Sequence, residues 1–297
     1  MSAISEFSCE SCGSLVQVEA HLRTAACPYC ASPAVIERPL EPGRPAPLFV
    51  LGFVVPHERA LEEARRWIRR RWFVPEALRK AKVESIRGIY VPSYLFSAAA
   101  DATYSAQIGE NYTETYTTTN SKGQTVTRTR TRTEWRSLSG RYAAYVSDIV
   151  VTASRGISNH ELEGVEPFDL RALHRYTPRL LSGWIAEEAS MPAEQCRELA
   201  VSESMTEIQR RVAAHLPGDK QRNLQVEAHL NDIEQELLLV PVYVLPVRYG
   251  GDEVVRILVN GQTAKVHSKL PRSWPKITTV IILVVILVAI GAYFATR

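Results

Sequence analysis

The alternation of apolar and polar side chains divides the chain into a helical stretch, a strand-rich middle, a second helical part and further strands. In 57–73 apolar residues recur at helical spacing. From residue 88 onward the period is two, which is typical of strands. We therefore predict an α+β body, mostly antiparallel β with several helices, at 57–73, 168–188 and 192–216. The side chains of 57–73 expected to face the core are Leu61, Ala64, Trp67, Ile68 and Trp72.

Three turn signals indicate hairpins within the strand-rich parts. They lie at Asn120–Gly123, Gly250-Gly251 and Asn260-Gly261, where Asn and Gly favour tight turns. The segments flanking the first signal alternate Thr with charged residues, so neither face is apolar. We expect this hairpin to project into water or onto a partner.

The long helix predicted over 192–216 carries Pro192 in its first turn, where proline is tolerated. Cys196, Leu199, Ile208 and Val212 are expected to face inward. Cys196 is therefore predicted to be a core residue rather than a reactive thiol.

An uncharged run of eighteen residues, Ile277–Phe294, lies close to the end of the chain. As a helix it would be about 27 Å long, which is enough to cross the hydrocarbon of a thin bilayer. Trp274 and Tyr293 flank it in the manner of interfacial aromatic belts. The run predicts a transmembrane helix, and its position predicts a tail anchor.

Basic residues before this run set the expected orientation. Four cations and no acid precede it closely, whereas Arg297 alone follows it. The positive-inside rule then places the N-terminal part in the cytoplasm. We expect a single-pass protein of the bacterial cytoplasmic membrane. The four preceding cations are Lys265, Lys269, Arg272 and Lys276.

Two Cys-x-x-Cys pairs, Cys9/Cys12 and Cys27/Cys30, are separated by fourteen residues. Two disulfides or a redox dithiol are alternatives. The first residues lack the basic start and apolar stretch of a secretory signal, so a reducing compartment is expected, where metal binding is favoured. Four thiolates complete a zinc tetrahedron and leave no open position. The pattern therefore predicts one structural Zn²⁺ in a small zinc ribbon whose ligands are all cysteines.

The net charge of +3 is too small to identify a partner by itself. Residues 1–39 contain four glutamates and two arginines, so a ribbon with Zn²⁺ and four thiolates is acidic, which opposes binding to phosphates. Basic side chains cluster elsewhere. They could contact anionic lipid or an acidic partner, or could simply form a solvated helix face and a protected strand edge. These candidates are Arg65, Arg69, Arg128, Arg130, Arg132, Lys269, Arg272 and Lys276.

The expected organisation is a zinc ribbon (1–38), a proline-rich linker (39–47), an α+β cytoplasmic body (48–272) and a transmembrane tail (273–297). The sequence contains no phosphate-binding loop, dinucleotide fingerprint, His-Glu-x-x-His or Gly-x-Ser-x-Gly motif. We therefore expect a non-enzymatic adaptor or scaffold that docks a protein partner at the membrane. The alternative is a membrane-tethered nucleic-acid-binding protein.

Several stretches together resemble a family of bacterial membrane-anchored zinc-ribbon proteins without an established activity, often labelled TFIIB-type zinc ribbon or primosomal-helicase-like. They are the paired knuckles, "RWFVPEALRKAKVESIRGIYVPSYLF", "LSGWIAEE" and "ILVNGQTAKVHSKLPRSWPK". The resemblance implies a ribbon, an α+β body and membrane attachment, and partners such as phage-shock or flotillin-like proteins. It does not extend to helicase activity, because no ATP-binding loop is present. Ala264 stands where glycine is usual in the family.

Overall fold

A computed structural model describes residues 4–9, 13–19, 29, 35–38, 45–81, 86–119, 123–181, 184–250 and 253–295; for 4–9, 15–19 and 35–38 it describes the backbone alone. The described chain divides into two compact units, which we treat separately. Unit 1 comprises residues 1–94, 150–196 and 236–297. Unit 2 comprises residues 95–149 and 197–235.

The elements, in chain order, are strands and helices with two short 3₁₀ turns. They are β1 (Ile4–Cys9), β2 (Leu15–Glu19), β3 (Val35–Arg38), β4 (Phe49–Leu51), α1 (His57–Arg69), α2 (Glu76–Lys80), β5 (Arg87–Thr119), β6 (Thr125–Thr152), α3 (Asn159–Val165), a 3₁₀ turn (Leu170–Ala172), β7 (Leu173–Arg175), a second 3₁₀ turn (Pro178–Leu181), β8 (Ile185–Glu187), α4 (Ala193–His215), β9 (Lys220–Tyr249), β10 (Glu253–Asn260), β11 (Val266–His267) and α5 (Trp274–Ala295).

The strands of the described residues form one eleven-stranded sheet. Its main path runs β11-β10-β9-β5-β8-β2-β1-β3, with β4 beside β7 and β9, and β6 beside β5. Most of the registered pairings are antiparallel, whereas β4–β9 and β5–β8 are parallel. The α+β class predicted from the hydrophobic pattern is therefore confirmed.

Helix α1 covers the sheet of unit 1 with an apolar stripe and ends earlier than predicted. Ala60, Ala64 and Ile68 are buried in one cluster with residues of β9 and β10, and Leu61 and Trp67 pack against it. Trp72 lies beyond the helix and is 69% exposed, so its assignment to the core was wrong. Pro75 disfavours helical backbone at the residue before it. The chain turns there and buries Val74 instead.

The helix predicted over 168–188 is not formed. The segment contains the two 3₁₀ turns, β7 and β8. Strand β7 pairs with β4, and β8 pairs with both β2 and β5. Backbone pairing with strands distant in sequence therefore overrides local helical spacing, and Pro178, which lacks an N–H, does not support a continuous helix.

Helix α4 buries positions that recur every four residues, namely Cys196, Ala200, Ser204, Ile208 and Val212. Leu199 is 36% exposed, so its predicted inward position was wrong. The prediction for Cys196 is confirmed, because the residue is fully buried and its Sγ lies 3.4 Å from the carbonyl oxygen of Thr152. Burial raises the pKa of this thiol to about 11, so a reactive thiolate is disfavoured.

The predicted hairpins at the end of the body are both present. Strands β9 and β10 flank Gly250-Gly251, and β10 and β11 flank Asn260-Gly261. Asn260 is fully buried, and its carboxamide bonds the carbonyls of Val165 and Pro167 and accepts from the N–H groups of Gln262 and Thr263. At the first signal, β6 pairs with β5, and residues 120–122 of the turn lie outside the described residues.

Ala264, which follows the Asn260 turn, has a φ of 61°, in the left-handed region that favours glycine. We predict that Ala264→Gly stabilises the protein by about 0.5–1 kcal/mol, because it removes the steric cost of this conformation. The greater conformational entropy of glycine in the unfolded chain offsets only part of this gain. Thermal unfolding of the full chain in detergent measures the change.

The matched control is Ala200→Gly, within helix α4, where glycine should lower stability by about 1 kcal/mol. Equal effects at the two positions would contradict the explanation from backbone conformation.

Candidate functional site

The N-terminal part of unit 1 is a three-stranded antiparallel arrangement in which β1 pairs with both β2 and β3. Cys9 is the last residue of β1. Its side chain, together with Cys12, Cys27 and Cys30, lies outside the described residues. Gly13, directly after the first cysteine pair, has a φ of 73°, in the left-handed region that favours glycine.

Within the described residues no group of three or more His, Cys, Asp or Glu side chains is placed to hold a metal ion. The zinc assignment therefore stays a prediction on the four cysteines. What the structure adds is how the segment that carries them is attached to the rest of unit 1.

Tyr29, between the second pair of cysteines, is fully buried and donates its hydroxyl hydrogen to Oε2 of Glu187. Glu187 is only 2% exposed. The Ser154 hydroxyl lies 2.7 Å from each carboxylate oxygen and donates to them, while its oxygen accepts from the N–H groups of Gly156 and Ile157. We call Tyr29, Ser154, Gly156 and Glu187 the Glu187 seat.

Backbone pairing supports the same attachment. In β2, Val16 pairs with Glu187 and Gln17 pairs with Ala186. Gly156 allows the close approach, since a Cβ there would lie 2.8 Å from Cβ of Ser14 and 3.2 Å from the Tyr29 ring. The β1–β3 segment is thus joined to the sheet of unit 1 both by strand pairing and by a buried side-chain network.

An ion pair supports the seat from the side of β10. Arg256 donates to the carbonyl of Gly156 and lies 2.8 Å from both carboxylate oxygens of Glu161. Glu161 also accepts from the backbone and hydroxyl of Ser158, which forms a capping box at the start of α3. Burial acts to raise the pKa of Glu161, but the bonds from Arg256 and Ser158 hold it below the ordinary value of 4.5.

In the seat, the buried Glu187 carboxylate accepts hydrogen bonds from Tyr29 and Ser154. A carboxylate closed to solvent in this way suits a structural attachment. The sequence did not predict this seat, because Tyr29, Ser154 and Glu187 lie far apart in the chain. Two local signals point to it: an aromatic residue inside a Cys-x-x-Cys pair, and an acid in the otherwise apolar strand Ile185–Glu187.

The arginine-rich hairpin in unit 2 carries its own carboxylates. Nε of Arg130 and Nε of Arg132 each lie 2.7 Å from Oε2 of Glu114, and Arg136 pairs with Glu110. The hydrogen bond from Arg130 lowers the pKa of Glu114. Arg128 is exposed on the same strand. Both faces here are largely exposed, as predicted, but the facing strand partly neutralises the row of cations.

The C-terminal helix α5 has 22 residues and would be about 33 Å long. Among the described residues it is the one helix long and apolar enough to cross a membrane, with a mean hydropathy of 2.8 and no buried part.

The start of helix α5 is hydrogen-bonded to the turn between α1 and α2. The Ser273 N–H donates to the Phe73 carbonyl at 2.7 Å, and Lys276 Nζ donates to the Val74 carbonyl at 2.9 Å. We call these contacts the root of α5.

The remaining basic candidates differ in environment from Lys276, which also lies 3.4 Å from Glu76. Arg65 and Arg69 are exposed on α1, and Lys269 and Arg272 are exposed between β11 and α5. The structure therefore separates Lys276, which holds the root, from cations that remain accessible at the surface.

Comparison with known proteins finds similarity to a bacterial protein without an assigned function. The chain is 25% identical over 237 residues to the "Uncharacterized protein YdjG" of Bacillus subtilis (strain 168), and the alignment covers 79% of this chain and 67% of that protein. No family model and no solved structure matches the chain.

We predict that Tyr29→Phe weakens the Glu187 seat by about 1–3 kcal/mol, because Glu187 loses a hydrogen-bond donor in a buried position. Amide exchange in β2 and β8 should therefore accelerate, because these two strands pair beside Glu187.

Tyr145→Phe is the control, since Tyr145 is 56% exposed and its hydroxyl donates to Ser97 in unit 2. Exchange in β2 and β8 that stays at the wild-type rate in Tyr29→Phe would contradict the seat.

Glu161 should contribute an acid-sensitive part of the stability. Because its pKa in the folded protein is depressed, this contribution is present above about pH 4.5 and is lost as the pH falls through the lower folded value. We expect Glu161→Gln to be less stable at pH 7 and to lose less stability on acidification than wild type. Thermal unfolding between pH 7 and 3 measures both effects.

Arg256→Gln removes the partner that lowers this pKa and should flatten the same part of the pH profile. Profiles parallel to wild type in both variants would refute the assignment.

Proposed function

We propose that the protein is a non-enzymatic membrane-anchored adaptor that presents a zinc ribbon to a protein partner at the bacterial cytoplasmic membrane. In this proposal α5 crosses the bilayer once, and the N-terminal part lies in the cytoplasm. The flanking cations and the single apolar helix among the described residues support the orientation and the anchorage.

The observation that carries the proposal is that contacts within unit 1 fix both the β1–β3 segment and the first turn of α5. The Glu187 seat attaches the β1–β3 segment through Tyr29 and Glu187. The root attaches the first turn of α5 through Phe73 and Lys276. A partner bound by the ribbon would therefore be held by a fixed body rather than by a flexible tether.

The proposed zinc site uses the thiolates of Cys9, Cys12, Cys27 and Cys30. Four sulfur ligands leave the metal no open coordination position, so its role would be structural. The positive φ of Gly13, directly after Cys12, and the burial of Tyr29, directly before Cys30, support this proposal.

The alternative, membrane-tethered nucleic-acid binding, would use the cations of α1 and of the arginine-rich hairpin. The ion pairs of Arg130, Arg132 and Arg136 with Glu114 and Glu110 weigh against it. Binding through phosphates would also fall steeply with rising salt.

The test uses the full chain cross-linked in membranes, followed by identification of the attached proteins. Wild type is compared with Cys27→Ser/Cys30→Ser and with Arg128→Gln/Arg130→Gln/Arg132→Gln. We expect the cysteine variant to lose bound zinc and a discrete set of partners, and the hairpin variant to keep both. An unchanged partner set in the cysteine variant, or loss of nucleic acid from the hairpin variant, would contradict the proposal.

A further inference from the structure

The turn between α1 and α2 exposes two large aromatic side chains that are not buried in the core. Trp72 is 69% exposed and Phe73 is 44% exposed, and their rings stack with centroids 6.3 Å apart. The neighbouring apolar residues Val74 and Leu78 are buried in the cluster beneath α1. The chain thus turns its smaller side chains inward and its larger ones outward, which is unusual for a surface that faces only water.

The position of this turn relative to α5 is set by backbone contacts. The Phe73 carbonyl accepts from the Ser273 N–H at 2.7 Å, directly before the first residue of the helix. Lys276 Nζ lies 3.3 Å from the Trp72 carbonyl and 2.9 Å from the Val74 carbonyl. Residues 72–74 therefore lie beside the first turn of α5.

The depth of the first turn of α5 in a bilayer follows from the position at which the apolar run begins. Trp274 opens α5 and is 71% exposed, and the uncharged run begins at Ile277, about 4.5 Å further along the helix axis. A tryptophan just outside the hydrocarbon marks the headgroup region. The Lys276 side chain bonds toward the body, the direction a cation takes at the edge of hydrocarbon. Trp72 and Phe73 are thus at headgroup depth whenever α5 spans the bilayer.

The residues before this turn carry positive charge. Arg69, Arg70 and Arg71 are consecutive and exposed, and they make no ion pair within the described residues. The Arg71 guanidinium lies 4.7 Å from the centroid of the Trp67 ring. Basic residues next to interfacial aromatics favour anionic lipid headgroups.

We propose that residues 69–73 form a lipid-contacting foot. Trp72 and Phe73 insert among the headgroups, and Arg69, Arg70 and Arg71 bind the phosphates of anionic lipids. The foot rests on the proposed membrane anchorage by α5, and adds a second contact that holds unit 1 against the bilayer instead of leaving it attached by the helix alone.

The test measures tryptophan fluorescence of the full chain in vesicles of phosphatidylcholine and phosphatidylglycerol whose acyl chains carry bromine near the headgroup. Wild type is compared with Trp72→Phe, Trp274→Phe and, as the matched control, Trp184→Phe, whose indole stacks on Phe53 at 3.9 Å. We expect Trp72→Phe to lose about half of the quenched emission, because Trp72 and Trp274 are then the tryptophans at headgroup depth. The control should retain it.

The two proposals fail in different ways. If Trp274→Phe loses quenched emission and Trp72→Phe does not, α5 inserts into the bilayer and the foot is refuted. The same result is expected if a protein, rather than lipid, covers Trp72. If neither variant loses it, the anchorage and the foot both fail.

The charge contribution is measured in the same vesicles with and without phosphatidylglycerol. Anionic lipid should increase the quenching of Trp72, and Arg69→Gln/Arg70→Gln/Arg71→Gln should abolish this increase, whereas Arg210→Gln, in unit 2, should keep it. Quenching that does not depend on lipid charge in the wild type overturns the role of the arginines.

Discussion

A carboxylate as deeply buried as that of Glu187 is stable in a sheet only when other groups supply the hydrogen bonds it would otherwise receive from water. Tyr29 and Ser154 supply them, and Ser154 in turn accepts from the backbone of Gly156 and Ile157. Because Tyr29 comes from the cysteine-bearing segment, this requirement couples the position of that segment to the sheet of unit 1. Neither Glu187 nor Tyr29 is well accommodated without the other.

The same logic operates at the other end of unit 1. Lys276 stands at the edge of a helix apolar enough to cross a membrane, where an unpaired ammonium group would be costly. The carbonyls of Trp72 and Val74 and the carboxylate of Glu76 take up its donors. One polar group at each end therefore ties an otherwise separate element, the β1–β3 segment or the C-terminal helix, to the same body.

Local patterns predicted those elements whose burial depends mainly on their own periodicity. The first part of α1, the burial of Cys196, Ile208 and Val212 in α4, and the hairpins around Gly250 and Asn260 are examples. The pattern failed where a distant strand competes for the backbone: residues 168–188 pair with β4, β2 and β5 instead of forming a helix. It also failed at Trp72, where spacing alone could not show that the helix ends and the side chain turns outward.

By itself, the sequence determined the α+β class, the spacing of the two Cys-x-x-Cys pairs and the apolar C-terminal helix, because each depends on residues that are neighbours in the chain. Only the tertiary structure decided that Tyr29 reaches Glu187, that Glu114 pairs with both Arg130 and Arg132, and that Phe73 lies beside Ser273. These contacts join residues between 16 and 200 positions apart. Their formation depends on how the strands pair, and periodicity within one segment carries no information about that pairing.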